Sequence, residues 1–160
     1  MKNKEYIVYT YKHRKIVAFL AEKYFPNNVE LLDRLKAHDM DKLFTYLFYA
    51  KKDVHNVHRT LTAHHENDLE KTYLDYVEMV LDWESARYTK PDKPLNAYDT
   101  LYKYYPEMEQ HILPILKEMG IDKPSLTDEI DVKEYALSLS DVNIENIKEE
   151  MKSYIDLMFN

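Results

Sequence analysis

The apolar residues of this 160-residue chain recur mainly at helical spacing. From about Glu5 to Tyr24, apolar positions such as Ile16 and Leu20 stand four residues apart, which places them on one face of a helix. The alternation of apolar and polar residues that is typical of strands persists nowhere in the chain. The pattern therefore predicts an all-α fold.

The same pattern predicts where the first helices begin and end. Pro26 and the asparagines that follow it end the first helix, and a second is predicted from Val29 to His38. A third helix, with an apolar face that includes Leu47 and Phe48, is predicted to end between Ala50 and Asp53. The clearest helical pattern in the chain then runs from Tyr73 to Tyr88.

Further helices are predicted in the second half of the chain. Pro106 suits the first turn of a helix that ends at Gly120, and Pro114 is expected to kink or split this helix. Two last helices are predicted in the tail, which contains no histidine. We therefore divide the chain into a helical domain of residues 1–121 and a C-terminal helical extension, residues 122–160, packed on the same domain.

The composition excludes several classes of protein. The chain has one glycine, whereas the phosphate-binding turn of a Rossmann fold and a P-loop each need several. It has no cysteine, so it can form neither disulfides nor thiolate metal sites. The net charge of −7 makes nucleic acid an unlikely partner, although a local basic pocket could accept a phosphate. No stretch is typical of a signal peptide or a membrane span, so we expect a cytoplasmic protein without a membrane partner.

The histidines carry the candidate chemistry. Six of the seven lie between residues 13 and 65, and His38 is followed directly by Asp39. Imidazole and carboxylate ligands suit Zn, Fe, Mn, Co or Ni, and inward side chains on facing helices are how helical bundles build metal sites. Each residue also has a plainer interpretation: a histidine can simply be solvated, and Asp82, among apolar neighbours, could pair with Arg87 or Lys71.

The order of these residues resembles a known signature. His13, the pair His38-Asp39, and Asp82 follow one another like the H…HD…D signature of the HD-domain superfamily of metal-dependent phosphohydrolases. The resemblance covers about residues 6–119 and implies an HD-like helical bundle with additional C-terminal helices.

Shorter motifs extend the resemblance. The segment from His38 to Lys42 resembles the HD-x-x-K of HD-type phosphodiesterases, and His64-His65-Glu66 resembles the His-His-Glu of the HD-GYP group. Residues 58–67 and 82–84 are similar to small bacterial and phage proteins of the DUF5662 type. No Gly-Tyr-Pro follows the His pair and position 41 is Asp where the HD-GYP pattern has Gly, so specificity for cyclic dinucleotides is not implied.

The resemblance also implies roles for individual residues. One or two divalent transition-metal ions would be held by a set of imidazoles and carboxylates, namely His13, His38, Asp39, His64, His65 and Asp82. Lys42 would neutralise a phosphate oxygen, and His58 would contact the substrate or a second ion. Asp41, Glu66 and Glu78 are candidates to orient the attacking water, and the sequence does not choose among them.

These roles favour a metal-dependent phosphohydrolase that acts on a nucleotide or another small phosphate ester. Two alternatives stay open: a di-iron oxygenase, which HD-like bundles also host, and a non-catalytic interaction protein with a vestigial metal site. A homodimer is open as well, because the tail could cover the pocket or bind a second copy of the chain.

Overall fold

The computed structural model describes residues 3–46, 49–67, 69–90, 95–124 and 127–159, the last six of them by backbone alone. These residues form helices and connecting turns without a strand, so the predicted all-α class is confirmed. The helices are α1 (Lys4–Tyr24), α2 (Val29–Leu35), α3 (Met40–Thr45), α4 (Lys51–Leu61), α5 (Tyr73–Thr89), α6 (Ala97–Tyr104), α7 (Glu109–Met119), α8 (Ile130–Ser138) and α9 (Ile144–Phe159). Within the described ranges, no helix is both long enough and apolar enough to cross a bilayer.

Helix α1 is the centre of the bundle. It packs against α2, α3, α5, α8 and α9, and its buried face carries Ile16, Val17 and Leu20. These side chains join the main apolar core together with the inner faces of α5 and α7. Since α1 also carries His13, the helix that organises the core fixes one of the candidate ligands in place.

A smaller apolar cluster lies under the C-terminal helix. Ile144, Ile147 and Met151 of α9 pack with Ile7 of α1 and with residues of α3 and α4. Helix α8 joins the main core instead, through the buried Val132. Both tail helices therefore pack against the helices that precede them, whereas the domain boundary at residue 121 stays a prediction.

Several predicted boundaries differ from those observed. The second helix was expected to reach His38, but α2 ends at Leu35 and residues 36–39 form a turn. The third helix was expected to run to between Ala50 and Asp53, but α3 ends at Thr45 and α4 begins at Lys51; residues 47 and 48 of the predicted face lie outside the described ranges.

Helices α5, α6 and α9 begin at side-chain caps, and α7 follows a proline turn. Thr72 and Asp75 form a capping box at the start of α5, and Asn143 accepts bonds from the first amides of α9. Pro106 opens a 3-10 turn that leads into α7, and α7 is not split at Pro114. Gly120 ends α7 with a φ of 73°, a left-handed conformation that glycine adopts without steric cost.

Candidate metal centre

The break between α2 and α3 puts the His38-Asp39 pair at a turn in the interior. Asp39 has a φ of 53°, in the left-handed region that Asp tolerates better than most residues, and it directly precedes α3. Arg14 of α1 donates from Nε to the carbonyl oxygen of His38 at 2.8 Å and from Nη2 to that of Lys36 at 2.6 Å. The buried guanidinium thus satisfies carbonyl groups that the early end of α2 leaves free.

One group of ligand atoms surrounds the Oδ2 atom of Asp39. The Nε2 atom of His13 lies 3.2 Å from Nε2 of His38 and 3.5 Å from Oδ2 of Asp39, and His38 Nε2 lies 3.6 Å from the same oxygen. Asp82 of α5 adds its Oδ1 atom, 2.9 Å from His13 Nε2. The predicted ligands His13, His38, Asp39 and Asp82 therefore converge, although 69 residues separate the first from the last.

A second group surrounds the other oxygen of Asp39. Its Oδ1 atom lies 2.8 Å from Nε2 of His58 and 3.3 Å from Nε2 of His64, and the two nitrogens are 3.2 Å apart. His58 comes from α4 and His64 from the turn after it. The carboxylate of Asp39 is thus shared by two sets of imidazoles, one at each oxygen.

These separations suit the edges of a coordination sphere. Two ligand atoms that each lie about 2.1 Å from one ion are about 3.0 Å apart at a right angle and about 3.4 Å apart at the tetrahedral angle. The Oδ1 atom of Asp39 is buried and has no hydrogen-bond partner within the described ranges, despite its two imidazole neighbours. A buried carboxylate oxygen without a hydrogen-bond partner costs free energy, and a bound cation would compensate its negative charge. The charge of Asp39 therefore favours a metal ion in addition to the distances. The buried His and Asp groups could therefore hold a metal ion.

The opposite nitrogen of each imidazole is held by an acceptor outside the cluster. The Nδ1 atom of His13 lies 3.1 Å from Oγ of Ser85, which itself donates to the Asp82 carbonyl and so is free to accept. His58 Nδ1 lies 2.7 Å from Oδ2 of Asp41. When Nδ1 donates in this way, the Nε2 lone pair is left to face the centre, as in carboxylate–histidine–metal arrangements.

Glu78 is the acceptor for the other two imidazoles. Its Oε1 atom lies 2.9 Å from Nδ1 of His38 and 3.1 Å from Nδ1 of His64, and its Oε2 atom accepts from Nε of Arg34 at 2.6 Å. Arg34 also pairs with Asp75 in the first turn of α5. One buried carboxylate therefore orients a ligand from each of the two groups, and an arginine on α2 holds that carboxylate in place.

The buried charges shift one another's protonation in the metal-free protein. Burial raises the pKa of Asp39, but the charge of His38 and the close contacts with the imidazoles of His58 and His64 outweigh it and hold the pKa well below its usual range. Burial lowers the pKa of His64, and the opposing close contacts with the carboxylates of Asp39 and Glu78 raise it to about 10. The pKa of Asp82 is held low by His13 in spite of burial.

His65 belongs to the second group, because one of its ring nitrogens lies within 4.8 Å of a ligand atom from each of Asp39, His58 and His64, whereas Glu66 lies beside the cluster. The His65 ring is 4.4 Å from that of His64, and its buried Nε2 atom has no hydrogen-bond partner in the described part of the chain. Burial and the neighbouring imidazoles lower the pKa of His65 to about 3, so its ring is neutral at pH 7. Glu66 forms an ion pair with Arg59, an arrangement that does not bring its carboxylate to the centre.

The two other residues with proposed catalytic roles contact the cluster directly. Lys42 lies on α3, with Nζ 3.5 Å from Oδ2 of Asp39. Asp41 was proposed to orient a water, to pair with Lys42 or to face solvent; the structure leaves its side chain exposed to solvent and places Oδ2 2.7 Å from Nδ1 of His58. Asp82 pairs with neither Arg87 nor Lys71, because Arg87 binds Glu84 and the ammonium of Lys71 donates to the carbonyl of Ala63.

A cleft of about 660 Å³ leads from the surface to the centre. It reaches His13, Asp39 and Asp82, with Lys42 and His65 on its walls. Its size is that of a small-molecule site. A ligand in the cleft would meet the side of the centre that is formed by α1 and α5.

The sequence did not reveal the residues that support the ligands. Arg14, Arg34 and Ser85 carry no motif, and each is recognised only by the atoms it touches. Glu78 had one signal, because it stands one helical turn before Asp82 and therefore on the same face of α5. Nothing among the family models, curated protein sequences or solved structures matches this chain.

Proposed function

We propose that this chain is a metal-dependent phosphohydrolase of the HD superfamily, acting on a nucleotide or another small phosphate ester. The observation that carries the proposal is the shared carboxylate of Asp39, with His13 and His38 near one oxygen and His58 and His64 near the other. This donor set fits two ions of Mn, Fe, Co, Ni or Zn. Ions bound there would acidify a water molecule and polarise a phosphoryl group.

The protein's own contribution is positioning and charge. Lys42, beside Asp39 and on the wall of the cleft, is placed to neutralise a phosphoryl oxygen as negative charge develops on it. Asp41 holds His58, and Glu78 holds His38 and His64, so that the imidazoles need not reorganise during turnover. The cleft encloses the ester beside the centre and limits its contact with solvent.

The decisive experiment combines metal analysis with an activity assay. Purified protein is expected to contain a transition metal and to hydrolyse at least one member of a panel of nucleotides and phosphate esters with Mn, Co, Ni, Zn or Fe added. Asp39→Asn keeps the shape of the side chain but removes the charge, so we expect loss of metal and a fall in turnover of more than about 100-fold. Asp33→Asn, at an exposed carboxylate of α2, is the matched control and should match the wild type.

Two outcomes would contradict the proposal: a metal-loaded protein that hydrolyses no phosphate ester, or an Asp39→Asn protein with unchanged turnover. Imidazoles and carboxylates also suit iron, so a di-iron oxygenase is the competing function. Stoichiometric iron with substrate-dependent oxygen consumption would establish that alternative. The lysines on the cleft wall favour a phosphate ester instead.

A further inference from the structure

The outer part of the cleft gathers positive charges that the proposed chemistry does not use. Lys51, Arg59 and Lys90 line it, in addition to Lys42 at the centre. Among the described lining residues away from the centre, Glu5 is the only acidic one. In a chain of net charge −7, this local excess of cations is a specific feature of the cleft.

Aromatic side chains hold the first of these lysines in place. The ammonium of Lys51, at the start of α4, lies 4.5 Å from the centre of the Tyr6 ring. Tyr6 in turn packs 5.8 Å from Tyr46, whose hydroxyl contacts Nε2 of His55 at 2.8 Å. Lys51 is exposed, and its contact with the Tyr6 ring places its ammonium group at the wall of the cleft.

A second aromatic residue connects Lys90 to the centre. The Lys90 ammonium lies 5.9 Å from the Tyr9 ring, and that ring stacks on the imidazole of His13 with centroids 6.2 Å apart. Tyr9 and His13 stand one turn apart on α1, which sets their spacing. The outer charges and the candidate ligands are thus parts of one continuous cleft surface.

The charges also act together on a single neighbour. Burial lowers the pKa of His55, and Lys42, Lys51, Lys90 and Arg59 lower it further, to about 4. Arg59 is paired with Glu66, whereas Lys51 and Lys90 each lie over a tyrosine ring beside the cleft. The positive field that disfavours protonation of His55 would attract an anion to the same part of the cleft.

We infer that Lys51 and Lys90 form a second phosphate subsite, and that the substrate carries two phosphate groups. The inference rests on the proposed function, because the first phosphate is the one beside Lys42 and the candidate ligands. A phosphate dianion presents several oxygens and can therefore contact both ammonium groups at once. A nucleic-acid strand fits less well, since the cations line one cleft and the rest of the chain is acidic.

Binding of phosphonates, which the protein cannot hydrolyse, tests the subsite. Mn²⁺-loaded protein is titrated calorimetrically with methylphosphonate and with methylene-, propylene- and pentylene-diphosphonates. We expect at least one diphosphonate to bind about tenfold more tightly than methylphosphonate, since a charge-assisted contact is worth at least that factor. The linker length that binds best distinguishes adjacent phosphates, as in a diphosphate ester, from separated phosphates, as in a bisphosphate.

Single lysine substitutions assign the effect to the cleft. Lys51→Ala and Lys90→Ala should each weaken the preferred diphosphonate about tenfold and change methylphosphonate binding less than twofold. Lys52→Ala is the matched control, because Lys52 is an exposed residue of the same helix that does not line the cleft. Chelation of Mn²⁺ by the diphosphonates is the same for all variants and cancels from the comparison.

The results separate this inference from the proposed function. A diphosphonate preference that neither Lys51→Ala nor Lys90→Ala reduces, or no preference at any linker length, overturns the subsite. Hydrolysis of phosphate monoesters in that case leaves the proposed function intact. Conversely, a lysine-dependent preference in a protein without hydrolase activity supports the subsite and counts against the proposed function.

Discussion

The Nδ1 contacts of the buried imidazoles decide what the centre can bind. Glu78 accepts from both His38 and His64, and its own pKa is held low by these two rings although burial opposes it. In the metal-free protein, Glu78 and Asp39 together favour a charged His64, whose pKa is about 10. A metal ion needs the Nε2 lone pair of that ring, so a proton and an ion compete for the same atom.

This competition predicts a proton release. His64 is charged in the folded, metal-free protein below pH 10, and its charge contributes stability below pH 6.5 that is lost as the pH rises through about 10. Metal binding at pH 7.5 should therefore expel at least one proton, and metal affinity should fall about tenfold per pH unit on acidification. Calorimetry in buffers with different ionisation enthalpies measures the number of protons released.

Substitution of Glu78, the acceptor that His38 and His64 share, tests whether the charge of His64 causes the proton release. Glu78→Gln removes one of the charges that raise the pKa of His64, so fewer protons should be released at pH 7.5. Glu22→Gln, at an exposed carboxylate of α1, should release as many as the wild type. Metal binding without proton release in the wild type would contradict a charged His64.

The candidate ligands could be predicted from sequence because they form an ordered set of rare residue types. His13, the His38-Asp39 pair and Asp82 stood out because their order resembles the H…HD…D signature of the HD-domain superfamily. Glu66 lies next to His64 and His65 in the sequence, yet it pairs with Arg59, because sequence proximity does not fix where a side chain points. The partners of Nδ1 could not be predicted, since a hydrogen bond between distant helices leaves no periodic signal.

At the level of helices and turns, Arg14 has the most specific structural role. It is buried on α1 beside His13, and its two bonds to the carbonyls of Lys36 and His38 hold the turn that displays Asp39. A turn with a non-glycine residue at positive φ costs energy unless its surroundings fix it. Arg14 supplies that constraint from the same helix that carries the first candidate ligand.

Replacement of Arg14 should therefore damage the centre without touching a ligand. Arg14→Met retains much of the apolar stem but leaves buried carbonyls unsatisfied, so we expect a loss of about 1–3 kcal/mol in the free energy of unfolding. Metal affinity should fall roughly 10–100-fold, as it does when groups that orient ligands are removed. Chemical denaturation and a chelator competition assay measure the two effects.

The contrast with neighbouring substitutions makes this test specific. Lys12→Met removes a cation two positions before Arg14 on α1 and should leave both quantities unchanged. Arg14→Lys restores a donor but not the two-pronged geometry, so it should recover part of the metal affinity. A fully stable Arg14→Met protein with wild-type metal affinity would show that the turn holds Asp39 without help.

The helices themselves were predictable to different degrees. Helices α1 and α5 match their predicted ranges closely. In such long periodic stretches, a few residues that break the apolar pattern do not hide it. The end of α2 before the His38-Asp39 turn was predicted three residues too late, because neither glycine nor proline in this segment stops a helix. Tertiary contacts from Arg14 end α2 early, and such contacts lie beyond a local pattern.

In the molecule as a whole, two apolar clusters support the two halves of the centre. The main core fixes α1 and α5, which carry His13 and Asp82. The smaller cluster under α9 includes Leu43 of α3 and Val54 of α4, the helices that carry Lys42 and His58. The tail would then be required for the His58 side of the centre, even though it holds no histidine.

Two cavity-creating substitutions, one in each apolar cluster, test whether the tail supports the His58 side of the centre. Ile147 on α9 and Ile112 on α7 are both fully buried, one in each cluster, and either substitution to Ala should cost about 2–5 kcal/mol in stability. If α9 holds α4 in place, Ile147→Ala should also weaken metal binding roughly tenfold or reduce its stoichiometry, because His58 loses its support. Ile112→Ala, with a similar loss of stability, should affect binding less, since α7 carries no ligand and lies against the rigid α5.

Denaturation curves and metal titrations of both variants give the comparison. Equal effects on metal binding would mean that the bundle responds as one unit and that the tail has no separate role at the centre.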